Sequence, residues 1–214
     1  MADTGRRERN KQEKRERILD AASALFAEHG YARVTTQRVA DRADVAAGTL
    51  FRYAATKSEL LLMATNARVS DALAAGEAAA RDEDDGVRAV IALVGPLLAQ
   101  SRESAENTAV YQREVMFGAE GAYRREALAL VEGFVTAIGA ALETAWSRDH
   151  PRAATPGSRA AAEAVFASVH VAILTAARPD LVTDPLADDL AAQVALIVRG
   201  YLAAPTPARK GATT

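Results

Sequence analysis

The chain has 214 residues, of which half are hydrophobic and a quarter are charged, so it can bury a sizeable core. It contains no cysteine, which excludes disulfides and thiolate metal sites. Residues 1–57 carry 12 Lys and Arg against 8 Asp and Glu, whereas residues 58–214 carry 14 against 20. A basic N-terminal part followed by an acidic C-terminal part is typical of a protein that binds a polyanion through its N-terminal part, although a solvated basic tail would give the same counts.

Several other classes of protein are disfavoured by what the sequence lacks. The N-terminus is charged, and the most apolar run, residues 90–99, is too short to span a bilayer, so we expect a cytoplasmic protein without membrane association. The three histidines lie far apart, and there is no glycine-rich phosphate loop and no cluster of metal ligands. We therefore expect no enzymatic activity, no cofactor and no metal.

The N-terminal segment, residues 1–12, is polar and has no hydrophobic periodicity, which predicts a disordered basic arm. Its Arg and Lys residues could follow a DNA backbone, but interspersed Glu residues fit a solvated tail equally well. Ile18, Leu25 and Phe26 then recur at helical spacing, and Gly30 stands where a helix C-cap is expected. These residues open a predicted domain over residues 13–56.

A short second helix is predicted to begin after Thr35, whose hydroxyl can cap the helix N-terminus. Val34 and Val39 flank this residue in the pattern of a hydrophobic staple. The helix should end near Asp44, because Asp tolerates the left-handed backbone conformation that a tight turn requires.

The third helix is predicted from residue 45 or 46 to Tyr53, with Leu50 and Phe51 buried. Two helices joined by so short a turn form the helix-turn-helix arrangement, in which the second helix enters the major groove of DNA. A fourth helix should follow at once, because Thr56 and Glu59 have the spacing of a capping box.

Residues 17–60 contain the segments ILDAASALFAEHGY, VTTQRVADRADV and GTLFRYAATKSEL. Together these segments resemble the N-terminal DNA-binding domain of TetR/AcrR-type transcriptional regulators. The sequence departs from the usual family pattern at three positions, where Asp44 replaces a turn glycine, Ala46 a small hydroxyl residue and Ala54 an aromatic residue. The resemblance implies an all-α fold, with an N-terminal three-helix helix-turn-helix DNA-binding domain and a C-terminal helical domain for ligand binding and dimerisation.

The resemblance also implies a repressor that binds a near-palindromic double-stranded DNA operator as a homodimer and is released by a small-molecule effector. A helix-turn-helix adaptor that binds proteins and has no inducing ligand is the alternative. Arg52 is suited to guanine, Thr49 offers a hydroxyl and a methyl group, and the small residues Ala47 and Gly48 permit close approach to bases. By position in the family pattern, the expected phosphate contacts are Thr35, Thr36, Gln37, Arg38, Tyr53 and Lys57.

Residues 57–204 are predicted to form the helical regulatory and dimerisation domain, followed by a tail over residues 205–214. Its predicted helices span residues 57–80, 87–101, 108–117, 122–148, 158–177 and 185–203, the second bent or interrupted near Pro96. The last two are apolar around much of their circumference, which predicts a homodimer interface, with burial inside one protomer as the alternative. Candidate effector-lining residues are Tyr111, Phe134, Trp146 and His170, although each alone is also a typical core residue.

Overall fold

The computed structural model describes residues 2–151, 155–176 and 186–203, and these residues form nine α-helices and no strand. The all-α prediction is therefore confirmed. The helices are α1 (Ala2–Arg33), α2 (Thr36–Arg42), α3 (Ala47–Leu50), α4 (Lys57–Arg81), α5 (Gly86–Arg102), α6 (Ala105–Phe117), α7 (Ala122–Asp149), α8 (Arg159–Ala176) and α9 (Leu186–Leu202). The predicted start of the last helix at Pro185 and the predicted tail over 205–214 lie outside the described residues.

The chain divides into two compact units. Unit 1 comprises residues 1–70 and 101–129, and unit 2 comprises residues 71–100 and 130–214. The predicted boundary at residue 56 therefore falls inside unit 1. The reason is that Leu60 and Leu61 of α4 and Tyr111 and Val115 of α6 bury their side chains in the same core as α1, α2 and α3.

The predicted disordered arm is helical in the structure, because α1 begins at Ala2. Residues 5–17 are rich in Arg, Glu, Lys and Gln, which are strong helix formers. Pairs one helical turn apart add to this preference: Lys11 lies 3.3 Å from Glu8, and the Gln12 amide donates to Glu16 at 2.8 Å. The absence of apolar periodicity therefore indicated a solvated helix rather than disorder.

Near the end of α1, Gly30 has a φ of 72° and a ψ of 166°, so the predicted C-cap glycine does interrupt the helical conformation. The Tyr31 ring stacks on Phe26 at 6.0 Å between centroids immediately after this break. The chain then enters α2 within a few residues.

In unit 2, α5 runs without interruption through Pro96, so of the two predicted alternatives, a bend or an interruption, the interruption is wrong. The φ of proline is compatible with a helix, so the residue removes one backbone donor without ending this helix. Gly76 of α4 allows the two helices to approach closely, because a Cβ at this position would overlap the Leu93 carbonyl group. Leu93 and Val90 of α5 are almost fully buried.

The terminal helices α8 and α9 are in contact, and Val165 and Val169 of one helix and Val194 and Val198 of the other are buried. Tyr201 of α9 lies edge-on to Trp146 of α7, with 6.0 Å between ring centroids, and its hydroxyl donates to the Pro156 carbonyl at 2.9 Å. The one tryptophan of the chain is thus a fully buried packing centre of unit 2.

Two described helices, α7 and α8, are long and apolar enough to cross a membrane if length and composition are the only criteria. Part of this apolar character is buried, since α7 buries Phe134, Ile138 and Leu142 and α8 buries Val165 and Val169, and the buried share of the apolar window is 33% in α7 and 22% in α8. Core helices of globular proteins meet the same criteria.

Candidate functional sites

The start of α2 is built as its sequence predicts. The Thr35 hydroxyl accepts a hydrogen bond from the Arg38 backbone N–H at 3.2 Å, which satisfies one of the unpaired donors at the helix N-terminus. Val34 and Val39 are both fully buried. The cap and the staple therefore fix where α2 begins.

The turn between α2 and α3 depends on Asp44, which has a φ of 51°. Its carboxylate accepts a hydrogen bond from the Arg17 guanidinium at 3.2 Å, and the next backbone N–H, that of Val45, donates to the Ala40 carbonyl at 3.0 Å. The prediction that Asp44 adopts the left-handed conformation in place of glycine is confirmed.

The third helix, which is predicted to enter the major groove and is called the recognition helix below, is shorter than predicted. It is α3, which spans Ala47–Leu50, and residues 51–53 form a turn. In that turn the N–H groups of Arg52 and Tyr53 donate to carbonyls three residues earlier, at 3.1 Å and 2.8 Å. The prediction that Phe51 is buried is wrong, because 47% of it is exposed. Leu50 and Ala54, four residues apart, occupy the buried face instead.

The outward face of α3 and its turn carries the four predicted base-contacting residues. Gly48 and Arg52 are exposed, while Ala47 and Thr49 are half-buried. The Arg52 side chain forms no hydrogen bond or ion pair within the part of the chain that the structure describes, so its guanidinium is available to a ligand. The open space around Gly48 permits close approach of another molecule to the backbone.

The predicted phosphate-contacting residues of α2 already have partners in the protein. The Gln37 amide donates to Asp41 at 2.7 Å, and the Arg38 guanidinium donates to the Arg33 carbonyl at 3.1 Å. Thr36 is half-buried at the first position of the helix. These contacts orient the side chains, and a role in binding phosphate stays a prediction.

Lys57 and Tyr53 are also engaged in the fold. The Lys57 ammonium donates to the carbonyls of Tyr31 and Ala32 at 2.9 Å and 3.4 Å, and it lies 4.1 Å from the centre of the Tyr31 ring. It therefore ties the end of α1 to the start of α4. The Tyr53 hydroxyl donates to the Lys11 carbonyl at 3.1 Å, so the turn after α3 is attached to the N-terminal part of α1.

The capping box that begins α4 is present in a variant form, in which the Glu59 carboxylate reaches the residue before the Thr56 cap. The Glu59 N–H donates to the Thr56 hydroxyl at 3.1 Å, and the Glu59 carboxylate accepts the Ala55 N–H at 2.6 Å. A contact that the sequence did not indicate is the paired hydrogen bond between Arg42 and Glu28, at 2.9 Å for both nitrogens. This hydrogen bond holds the pKa of Glu28 below its usual value and fastens α2 to α1.

Tyr111, one of the four predicted effector residues, belongs to the core of unit 1. Its hydroxyl donates to the Asn66 side-chain oxygen at 3.0 Å, and burial raises the pKa of Tyr111. The Asn66 amide donates in turn to the Tyr123 carbonyl at 2.9 Å and to Glu126 at 3.2 Å. This arrangement joins α4, α6 and α7 within unit 1.

The other three predicted effector residues lie in unit 2. Trp146 is stacked on His150 at 3.9 Å between ring centroids, and Phe134 meets Phe166 edge-on at 6.3 Å. Phe166 in turn stacks on His170 at 5.7 Å, and burial lowers the pKa of that imidazole. Within unit 2, Phe134 and His170 thus both contact Phe166, whereas Trp146 contacts His150.

A cavity of about 590 Å³ lies between α4, α5 and α7 within unit 2. None of the four predicted effector residues lines it. Small side chains of α7 form much of one wall, and charged residues of α4 and α7 contribute the polar groups. The lining residues are Glu77, Ala80, Arg81, Glu83, Ala89, Leu93, Glu132, Gly133, Thr136, Ala137, Ala140, Ala141, Thr144, Ala145 and Arg148. The sequence signal for this cavity was the recurrence of Gly, Ala and Thr at helical spacing along α7.

Comparison with known proteins agrees with the geometry of the DNA-binding segment. Residues 18–64 match the family described as "Bacterial regulatory proteins, tetR family". This N-terminal segment is therefore a TetR-type DNA-binding segment. Over 52 residues it is 54% identical to the HTH-type transcriptional repressor KstR of Mycobacterium tuberculosis, a match that covers 24% of each protein. The chain thus spans about a quarter of the length of the curated relatives it matches.

Similarity to solved TetR-family structures extends over most of the chain. A transcriptional regulator from Rhodococcus sp. Rha1 is 26% identical, with a TM-score of 0.64, over 89% of this chain and 99% of that one. Thermus thermophilus FadR, a TetR-family repressor solved in complex with lauroyl-CoA, is 21% identical, with a TM-score of 0.68, over 92% of this chain and 100% of that one. The names of these proteins are those of regulators rather than enzymes.

Proposed function

We propose that this protein is a transcriptional repressor that binds a near-palindromic operator as a homodimer and is released by a small molecule. The observation that carries the proposal is the exposed face of α3 and its turn, where Gly48 and Arg52 stand on a firmly capped helix-turn-helix frame. The repressor names of the relatives that match this segment support the proposal.

Base recognition is assigned to Ala47, Gly48, Thr49 and Arg52. A guanidinium can donate two hydrogen bonds to the N7 and O6 acceptors of guanine, and a threonine methyl group can contact thymine. Gln37, Arg38 and Lys57 are proposed to set the position of the helix on the phosphate backbone, since phosphate contacts fix register rather than sequence. Thr35, Thr36 and Tyr53 are proposed to join them.

Homodimerisation is proposed through α8 and α9. Ala164, Ala167, Val171 and Leu174 are exposed at spacings of three and four residues, so they form one apolar stripe along α8. On α9, Leu196 is 74% exposed. A contiguous apolar face of this kind favours burial against a second copy, and two-fold symmetry is the commonest arrangement.

Effector binding is proposed for the cavity of unit 2. The helix α4 begins at Lys57, beside the helix-turn-helix, and supplies Glu77, Ala80 and Arg81 to the cavity wall. A compound that prefers the protein conformation unable to bind DNA would shift the population away from the operator. The largely apolar walls favour a compound with an apolar body, and lauroyl-CoA, the ligand of Thermus thermophilus FadR, is a reasonable first probe.

The test combines selection of bound duplexes from random DNA with the Arg52→Ala variant. We expect wild-type protein to enrich a two-fold-symmetric sequence, and Arg52→Ala to lose about 1–3 kcal/mol of discrimination at one base pair in each half-site. Arg113→Ala is a matched control, because Arg113 is an exposed arginine of unit 1 on α6. Unchanged sequence preference in Arg52→Ala would remove the base-contacting assignment.

The adaptor alternative gives a different result in the same assay. An adaptor that binds proteins would show neither enrichment nor the steep loss of DNA affinity with added salt that follows from the release of counterions by phosphate contacts. Enrichment of a symmetric sequence would instead support the repressor.

A further inference from the structure

Three basic residues near the N-terminus, Arg7, Lys11 and Lys14, lie on the same face of α1. Their spacings of four and three residues place them one above another on the helix surface. Asn10 lies beside them, and Arg52 and Tyr53, from the turn that follows the recognition helix, complete the lining of one concavity of about 450 Å³. The base-contacting Arg52 therefore shares this concavity with the N-terminal helix.

A direct contact attaches the two sides of this concavity. The Tyr53 hydroxyl donates to the Lys11 carbonyl at 3.1 Å, and Tyr53 immediately follows Arg52 in sequence. The N-terminal part of α1 is thus held beside the end of α3, within unit 1. This arrangement differs from a tail that merely contributes diffuse positive charge.

The charge of the concavity is strongly positive. Its six lining residues include four cations, Arg7, Lys11, Lys14 and Arg52, and no carboxylate. The Lys11 ammonium is 3.3 Å from Glu8, an exposed contact, and Arg7 also interacts within the protein, so part of this charge is compensated. Clustered like charges disfavour one another, and an anion placed among them relieves that repulsion.

We propose that this basic concavity binds a backbone phosphate of duplex DNA, next to the base pairs contacted by Arg52. The N-terminal helix would then lie along the DNA backbone and extend the footprint of each protomer beyond the helix-turn-helix. The chemistry recognised is that of a phosphodiester, and its position beside α3 favours DNA as the source. This inference rests on the proposed function, because it assumes that α3 enters a major groove.

The experiment compares Lys14→Gln with Arg9→Gln, using the full-length protein and the selected duplex. Both residues are exposed on α1, and both variants remove one positive charge, but residue 9 lies on the opposite face of the helix from Arg7, Lys11 and Lys14. Loss of one phosphate contact should reduce the slope of log affinity against log salt by about 1 for Lys14→Gln. The reduction in affinity caused by Lys14→Gln should be the same for every duplex sequence. Arg9→Gln should keep the wild-type slope.

A duplex with a single neutral methylphosphonate identifies the phosphate. At the contacted position, this substitution should weaken wild-type binding and have no further effect on Lys14→Gln, because the same contact is already missing. An excess of inorganic phosphate is the control for the source of the anion: it should leave the effect of the methylphosphonate in place.

The outcomes separate the two proposals. If Lys14→Gln and Arg9→Gln change the salt slope equally, the concavity is not a phosphate site, even though the protein still binds DNA. The same conclusion follows if no methylphosphonate position distinguishes wild type from Lys14→Gln. If inorganic phosphate at ordinary buffer concentrations abolishes the difference, the concavity binds free phosphate rather than a DNA phosphodiester, and the proposal fails as well. If wild-type protein selects no duplex at all, the proposed function itself fails.

Discussion

Units 1 and 2 differ in the interactions that stabilise each of them internally. In unit 1, directional hydrogen bonds fix the corners: Thr35 caps α2, Lys57 binds two carbonyls at the end of α1, and Asn66 joins three helices. In unit 2, small side chains shape the structure, because Gly76 allows α4 to approach Leu93 closely and the alanines of α7 leave room for the cavity. A surface that must match a DNA groove benefits from the first kind of structure, and a cavity that accepts a ligand benefits from the second.

The contact between α6 and α1 illustrates the directional kind. The Glu106 carboxylate accepts the Ala32 N–H at 2.7 Å, and the Asn107 amide donates to the Phe26 carbonyl at 2.9 Å. The Ala32 N–H and the Phe26 carbonyl lie on either side of the break at Gly30, where the helix cannot satisfy all of its own backbone hydrogen-bonding groups. The N-terminus of α6 therefore completes the frame on which α2 and α3 stand.

The largest effect is expected from Gly76→Ala, which tests close packing in unit 2. A Cβ at this position would overlap the backbone carbonyl of Leu93, so α4 and α5 would have to separate, at a cost of about 3 kcal/mol. Gly133→Ala is the control, because its Cβ would meet no atom within 4 Å and the better helix propensity should gain up to about 1 kcal/mol. Urea unfolding measures both. Equal stabilities of the two variants would show that the α4–α5 approach is not tight.

A smaller effect is expected from Asn66→Ala in unit 1. The substitution leaves the buried Tyr111 hydroxyl without its acceptor and the Tyr123 carbonyl without the amide donor, which should cost about 2 kcal/mol. Tyr111→Phe should cost about 1 kcal/mol, because Asn66 keeps its bonds to Tyr123 and Glu126. Chemical unfolding followed by helical circular dichroism gives both values. If Asn66→Ala were as stable as wild type, directional bonds would not explain the order of unit 1.

The smallest effect on stability is expected from Ala141→Phe, which should instead alter the response to an effector. Ala141 is half-buried on the cavity wall, so a phenyl group would occupy space proposed for the ligand. Ser147→Phe is the control, since Ser147 is exposed on the same helix and does not line the cavity. Operator affinity in the absence of any effector should be unchanged in both variants. Release from the operator is then measured with lauroyl-CoA and a panel of hydrophobic carboxylic acids. If every compound that releases wild type released Ala141→Phe equally well, the effector site would lie elsewhere.

The parts of the fold that were predictable from the sequence depend on neighbouring residues. The cap at Thr35, the left-handed turn at Asp44 and the capping box of Thr56 and Glu59 each follow from local backbone geometry, and all three are present. They locate α2, the turn and α4 without knowledge of the rest of the chain.

The features that were not predictable depend on contacts between distant residues. Phe51 has an apolar side chain of the kind found in protein cores, but it is exposed, because Leu50 and Ala54 already fill the face of the turn that meets the core. The role of Lys57 depends on the position of carbonyls 25 and 26 residues away. Likewise, the concavity of Arg7, Lys11, Lys14 and Arg52 combines residues that are far apart in sequence, and there Tyr53 binds Lys11 across 42 residues.

The central claim is that two copies of α3 occupy successive major grooves on one face of the DNA. The most direct test measures affinity for the selected operator before and after insertion of about 5 base pairs between its half-sites, since about half a helical turn moves the second half-site to the opposite face. The account predicts that the insertion abolishes high-affinity binding and that an insertion of a full turn restores part of it. Equal affinity for the original and half-turn operators would contradict the account.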